Sequence, residues 1–291
     1  MNYDNLNKTF QNLDTDYLYH LGLDSSMDLV QMFGDVKFVV FTRSPSDADY
    51  FAKQYTNAYY KLDDIEISCK TIAKDERYHI YKIANTLVIS HGVGSPSMLI
   101  CLNEVTKLLW HAKVTNFSYI RLSPGGGLST DKAKIVIASH AFNHELKPTW
   151  ANIEFGEYYN YDTQMATQLS DKILSMANSQ AISGSILSSQ SFYNGQARIN
   201  GALPTSYNKD EARRYLQQAY DAGVRGIDME SGCFSAFCNQ FEIPASIILA
   251  TSVDRLNDDS ITAQSFDGNN LDICIKNASN ILINFLLSQG A

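Results

Sequence analysis

Short apolar runs rich in valine, isoleucine and aromatic residues recur along the chain at the length of β-strands. Turn-forming residues bound most of these runs. The pattern predicts eight strands, at Phe38–Thr42, His79–Ile83, Thr86–Gly92, Ser118–Leu122, Ile135–Ser139, Ile182–Phe192, Gly226–Met229 and Ser246–Val253.

Segments with a helical period lie between several of these strands. One is opened by Pro96 and Ser97, and its apolar residues are Met98, Leu102, Val105 and Leu109. The second repeats Met165, Leu169, Ile173 and Met176. Three further helices are predicted, at Lys209–Asp221, around Phe234–Phe241 and at Asp272–Leu287.

Strands that alternate with helices favour an α/β fold, with a mixed, largely parallel sheet flanked by helices. The chain has 291 residues, of which 45% are hydrophobic and 19% charged, so it can bury a sizeable core. We find no linker-like composition, block of like charge or internal repeat that marks a boundary. We therefore predict a single domain over residues 1–291.

Charge and cysteine content narrow the class of protein. A formal net charge of -8 without a basic stripe argues against nucleic acid as a partner. The segment Met1–Leu18 lacks the features of a signal peptide, and no apolar run reaches the ~20 residues of a membrane span, so we expect a cytoplasmic protein without membrane contact. Five cysteines without CxxC spacing favour reduced, packed thiols. His140, His144 and Glu145 are too few for a metal site, and none is expected.

Ligands of such sheets bind beyond the carboxyl ends of the strands, which directs attention to the residues that follow them. The run Arg43–Asp47 starts a helix, so it is either an anion site or an ordinary N-cap by Ser44 or Ser46. The run His91–Ser97 is a glycine turn that suits ligand contact or tight packing.

Charged residues at two further strand ends also allow two interpretations. Arg121 precedes the glycines 125–127, where a ligand could approach the backbone, and this interpretation is favoured over a salt-bridged arginine beside a flexible turn. Asp228 and Glu230 could accept hydrogen bonds from the hydroxyls of a sugar or could cap the helix that follows.

Gln196 and Arg198 would project to the same side of the chain if their segment is extended. An amide offers a donor and an acceptor, and a guanidinium only donors, which together suit the polar edge of uracil. The alternative is a polar surface loop.

Taken together, these motifs resemble the nucleoside phosphorylases, specifically the animal type of uridine phosphorylase. The resemblance extends over nearly the whole chain, and the Gln-x-Arg element is its most specific part. The matching residues are His20–Leu23, Ser44–Ser46, Arg77–Tyr78, His91–Ser97, Arg121 with its glycines, Phe192–Arg198 and Asp228–Ser231.

The resemblance implies a role for each matching residue. Gln196 and Arg198 would hold uracil, with Phe192 packed near the base. The ribose contacts would be His20, Asp228, Met229 and Glu230, and the phosphate contacts Arg77, Arg121 and Gly126. Arg43 does not match the family pattern, and it joins the phosphate contacts because its guanidinium could swing into the space of a missing arginine. In the family, the equivalents of His20 and Arg77 reach into the neighbouring subunit, which implies a homo-oligomer, in the simplest case a homodimer.

The implied reaction is reversible phosphorolysis of uridine to uracil and ribose 1-phosphate in pyrimidine salvage. Arg198 and Arg121 would be the catalytic residues, and Arg198 would stabilise the charge on the departing base. Phosphate is the co-substrate, and no cofactor is implied.

Three positions of the phosphate motif depart from the family pattern. Arg43 replaces a glycine, Asp47 replaces an arginine and Pro124 replaces a threonine. Loss of a charge-assisted hydrogen bond costs roughly 1.5 to 3 kcal/mol, and an aspartate at position 47 also repels phosphate, so we expect impaired use of phosphate. Two alternatives therefore stand beside a slow phosphorylase: a silent paralogue that binds a nucleoside, and a hydrolase that uses water.

Overall fold

The computed structural model describes residues 3–62, 68–73, 77–128, 134–256 and 268–290. Its helices are α1 (Lys8–Gln11), α2 (Leu29–Phe33), α3 (Pro45–Tyr60), α4 (Ser95–His111), α5 (Gln168–Met176), α6 (Lys209–Asp221), α7 (Ser231–Gln240) and α8 (Gly268–Ser288). Its strands are β1 (Tyr17–Leu18), β2 (Leu23–Asp24), β3 (Phe38–Thr42), β4 (Ile80–Ile83), β5 (Thr86–Ser90), β6 (Ser118–Gly127), β7 (Ile135–Ala138), β8 (Ala141–Phe142), β9 (Thr149–Glu154), β10 (Glu157–Asp162), β11 (Ala181–Ser183), β12 (Ser185–Ser188), β13 (Val224–Asp228) and β14 (Ala245–Asp254). None of the described helices is long and apolar enough to cross a membrane.

A mixed, largely parallel sheet of ten described strands forms the centre of the molecule, as predicted. Strand β6 lies in the middle of the sheet. It pairs in parallel with β14 along its length and with β3 along its first half. Its last residues turn to β13, which pairs with them in antiparallel orientation at Gly126 and Gly127. The carboxyl ends of β3, β6, β13 and β14 are thereby brought to one region.

Helices cover both faces of the sheet. Because side chains alternate between the two faces along each strand, a strand contributes apolar residues to the core on both sides. In β3, for example, Val39 and Phe41 face a cluster formed with α2, α4 and α7. Phe38 and Val40 face the opposite cluster, formed with α3, α5 and α8. The fully apolar strands of the sequence are therefore strands buried on both sides.

The glycine run 125–127 does not form the flexible turn of the alternative interpretation. These residues continue β6 to Gly127. A Cβ atom on Gly125 would lie 2.7 Å from the Ile227 carbonyl oxygen and 2.8 Å from a Leu249 methyl group. The position is therefore kept small by close packing between β13 and β14.

The predicted strand Ile182–Phe192 is also wrong in its extent. The structure divides it into β11 and β12 and ends it at Ser188. A loop and a 3-10 helix at Asn194–Gln196 follow. The sequence analysis missed the β9–β10 hairpin, which stands outside the main sheet.

Candidate active site

A cavity of about 270 Å³ lies where these strand ends meet, large enough for a small molecule. Eight of the predicted site residues contribute to its wall. They are Arg43, Gly126, Phe192, Gln196, Arg198, Asp228, Met229 and Glu230. The wall also includes Val93, Ser123, Pro124, Gly125, Ile227, Ser252 and Val253.

Gln196 and Arg198 lie side by side, although their segment is not extended as the sequence analysis assumed. The 3-10 helix ends at Gln196, and Ala197 adopts a left-handed conformation with φ of 55°. This turn brings Arg198 back beside its neighbour, and its Nη2 donates to Gln196 Oε1 at 3.2 Å. The Arg198 guanidinium also lies 4.2 Å from the centroid of the Phe192 ring, a cation–π contact.

Arg255 contacts the backbone at this end of the cavity without belonging to the described wall, and it was missed by the sequence analysis. Its Nη2 donates to the backbone carbonyl of Gln196 at 2.9 Å. Burial, and next the charge of Arg255, lowers the pKa of Arg198 to about 9, which still leaves Arg198 charged at neutral pH. The signal for Arg255 was in the sequence, because it follows an apolar strand just as Arg43 does.

The Arg198 side chain is 7% exposed, yet its Nε and Nη1 find no hydrogen-bond partner among the described residues. A buried cation in this state is costly unless a ligand supplies an acceptor. This end of the cavity therefore suits a planar ligand with carbonyl oxygens on its edge.

Arg121 lies beneath the cavity and does not belong to its described wall. Its guanidinium is fully buried and donates to Asp228 through Nη1 and to Glu230 through Nη2, the latter at 2.7 Å. Burial disfavours the Arg121 charge, but the two carboxylates outweigh it and raise the pKa of Arg121. The salt-bridged interpretation thus describes its contacts in this structure.

The two carboxylates lie between Arg121 and the cavity. Glu230 accepts a hydrogen bond from Gly94 N at 2.6 Å, and burial raises the pKa of Glu230 against the opposing effect of Arg121. Asp228 accepts from the backbone nitrogen of Ser231 at 3.1 Å, and so also caps the start of α7. Both acids are held rigidly on the cavity wall, where hydroxyl groups of a ligand could donate to them.

The third side of the cavity carries the unusual residues of the phosphate motif. Arg43 lines it, and Arg43 Nη2 lies 3.1 Å from Asp47 Oδ2 on the first turn of α3. Ser44 Oγ accepts from Asp47 N at 3.1 Å, so Ser44 is an N-cap. Pro124 and Gly126 complete this side, which therefore has no hydroxyl at position 124.

His20 and Arg77 lie apart from the described wall of this cavity. Both contact Tyr78: the His20 ring at 6.1 Å between centroids and the Arg77 guanidinium at 5.5 Å. The His20 ring is oriented by Glu104, whose Oε1 lies 2.6 Å from Nδ1. Within one chain these residues form a separate cluster.

The histidines considered for a metal have other partners. His140 Nε2 lies 2.7 Å from Ser185 Oγ, and the backbone carbonyl of His144 accepts from Tyr215 at 3.0 Å. Over the described ranges, no group of three potential metal ligands comes together.

Comparison with known proteins agrees with this arrangement. The family model for the phosphorylase superfamily matches residues 37–287. Mouse uridine phosphorylase 1 is 36% identical over 252 residues, covering 84% of this chain and 80% of its own. The chain therefore belongs to the phosphorylase superfamily and, within it, to the uridine phosphorylase family.

Two Schistosoma mansoni relatives bear on the site. The crystal structure of its uridine phosphorylase in complex with uracil superimposes with a TM-score of 0.89 at 28% identity, covering 97% of this chain and 98% of that one. A second relative, named inactive uridine phosphorylase B, is 29% identical and covers 89% of this chain and 88% of its own.

Proposed function

We propose that this protein cleaves uridine by phosphorolysis, giving uracil and ribose 1-phosphate. The observation that carries the proposal is the group of Gln196, Arg198 and Arg255, in which a buried guanidinium and an amide face a cavity of small-molecule size. Uracil offers two carbonyl oxygens and one N–H on its edge, so it can use the donors of Arg198 and both functions of the Gln196 amide.

In this reaction an oxygen of phosphate attacks C1′ of the ribose, while the bond between C1′ and N1 of uracil breaks. The bonding electrons leave with the base, whose carbonyl oxygens become more negative. Arg198 is already in place to stabilise that charge without reorganisation, which is the main source of catalysis by preorganised donors. Met229 and Glu230, with Asp228, would contact the ribose from the acidic side of the cavity.

Phosphate would bind near Arg43 and Gly126, on the side of the cavity opposite the base. Arg121 would act from beneath by holding the acids, unless substrate draws it upward. We further propose that His20 and Arg77 complete the site of a second copy in a cytoplasmic homodimer, because both lie apart from the cavity of their own chain.

A second candidate is a silent paralogue that binds uridine and does not cleave it. The ion pair of Arg43 with Asp47 favours this silent paralogue, because the Asp47 carboxylate neutralises part of the positive charge that would attract phosphate. The relative named inactive uridine phosphorylase B also supports this second candidate.

The test is to follow uracil release from uridine with and without phosphate, with calorimetric titration of uridine in parallel. Phosphate-dependent release supports the proposal. Binding without release supports the silent paralogue, and release that does not depend on phosphate indicates hydrolysis.

A further inference from the structure

Arg43 and Asp47 form an ion pair at the edge of the cavity, with 3.1 Å between Arg43 Nη2 and Asp47 Oδ2, and Asp47 Oδ2 accepts no hydrogen bond from a described residue. Of the two, only Arg43 belongs to the described cavity wall. Asp47 lies behind it on the first turn of α3, and its side chain is 15% exposed, against 32% for Arg43. Asp47 therefore contacts Arg43 without belonging to the described cavity wall.

We propose that Asp47 is a positioning residue, which holds the Arg43 guanidinium against the cavity so that Arg43 can bind phosphate. This inference rests on the proposed function, since it assigns the phosphate contact of that same site. It reverses the expectation from the sequence, in which Asp47 repels phosphate.

Two observations give the proposal its physical basis. Arg43 precedes the N-cap Ser44, so its backbone is fixed by the start of α3, while its long side chain would otherwise sample many rotamers. The backbone of Asp47 is also fixed, because its nitrogen donates to Ser44 Oγ. A carboxylate beside one nitrogen of a guanidinium leaves the other donors of Arg43 available to an incoming anion.

The proposal and the repulsion hypothesis predict opposite signs for Asp47→Asn. The measurement is calorimetric titration of inorganic phosphate into the protein saturated with uracil, together with the KM for phosphate in uridine cleavage. If Asp47 positions Arg43, phosphate affinity falls about three- to tenfold in Asp47→Asn, and uracil affinity without phosphate is unchanged. If Asp47 repels phosphate, the affinity rises, which overturns the proposal.

A double-mutant cycle tests whether Asp47 acts through Arg43. Asp47→Asn in an Arg43→Ala background should cause no further loss of phosphate affinity. An equal loss of phosphate affinity from Asp47→Asn with and without Arg43 would show that Asp47 acts independently of Arg43, and the positioning role would be wrong.

Asp49→Asn is the matched control, because Asp49 pairs with Lys53 at 2.8 Å on the same helix with the same spacing. It should leave phosphate affinity unchanged. If the parent binds phosphate and Asp47→Asn weakens that binding, the inference stands even where no uridine is cleaved, and only the proposed activity fails. A parent that binds no phosphate at tens of millimolar overturns the inference.

Discussion

Arg255 donates a hydrogen bond from Nη2 to the backbone carbonyl of Gln196 at 2.9 Å. The bond joins the end of β14 to the 3-10 turn that carries the proposed base-binding side chains. It holds a second buried arginine near Arg198, and the charge of Arg255 contributes to the lowered pKa of Arg198. A base that acquires negative charge as it departs is stabilised at such a place.

We expect Arg255→Ala to weaken uracil binding by about 1 to 3 kcal/mol, because the Gln196 carbonyl and its turn lose their anchor. Calorimetry with uracil measures the effect. Arg214→Ala is the control, since Arg214 is exposed on α6 and should bind uracil like the parent. Unchanged affinity in Arg255→Ala would mean that the turn is held by other contacts, such as that of Tyr207 with the Asn194 carbonyl at 2.8 Å.

The sheet and its helices could be predicted from the sequence because the burial of β3, β5, β6 and β14 leaves a plain pattern. Helix α6 was predicted to its last residue, and a capping box at Asn208 and Glu211 explains its clear start. Candidate site residues at strand ends were also accessible, since the carboxyl ends of neighbouring strands converge whatever the details of the loops.

The parts that could not be predicted depend on contacts distant in sequence. Gly125 belongs to a strand because Ile227 and Leu249 leave no room for a side chain, and no local pattern contains that information. Arg198 lies beside Gln196 because Ala197 between them is left-handed. The sequence analysis predicted that the two side chains are neighbours, but it assumed an extended segment. Whether Asp47 faces Arg43 or the cavity is likewise decided by the side-chain packing of the folded chain.

Gln196→Ala and Arg198→Ala should each weaken binding of uracil or uridine by about 1 to 3 kcal/mol, because each leaves a polar group of the base unpaired. Calorimetric titration of both ligands measures this. Arg198→Lys should recover little, since an ammonium lacks the planar array of donors. Parental affinity for uracil in both alanine variants would contradict the pyrimidine assignment.

Arg198→Met should stabilise the unliganded protein while it abolishes uracil binding. Burial lowers the pKa of Arg198 to about 9. Below that pH the folded protein contains a buried charge, which reduces its free energy of unfolding. We expect a gain on the order of 1 kcal/mol, or about 2 to 4 °C in Tm. Because the folded pKa lies below the unfolded one, the advantage should narrow as pH rises above about 9 and Arg198 loses its proton.

Thermal unfolding from pH 7 to 10 measures this advantage, with Arg214→Met as the control on exposed α6. A Tm equal to or below that of the parent would show that Arg198 has a stabilising partner without ligand.

Arg121→Met should destabilise the protein by about 3 to 5 kcal/mol, because it leaves the buried carboxylates of Asp228 and Glu230 without their cation. Urea unfolding measures the loss. Adding Asp228→Asn and Glu230→Gln to Arg121→Met should restore much of the stability, since neutral groups need no counter-charge. A small loss in the single variant would indicate that water reaches the pair.

The proposed sharing of sites between two copies can be tested by mixing inactive variants. In the proposed homodimer, each site combines the cavity of one copy with His20 and Arg77 of the other copy. Arg198→Ala inactivates the site in its own cavity. The double variant His20→Ala with Arg77→Ala inactivates the site in the cavity of its neighbour. A hybrid of the two variants retains one site built entirely from unmodified residues. Random association at equal amounts gives about half hybrids, each with one of two sites intact, so co-expression should restore about a quarter of parental activity.

Mixing Arg198→Ala with Gln196→Ala is the matched control, because every site in that hybrid keeps a damaged cavity, and activity should stay at the level of the separate variants. Light scattering at micromolar concentration accompanies the assay and should give the mass of a dimer or of a larger assembly. A monomeric mass, or a co-expressed mixture no more active than its separate variants, would mean that His20 and Arg77 serve their own chain, and the shared site would be wrong.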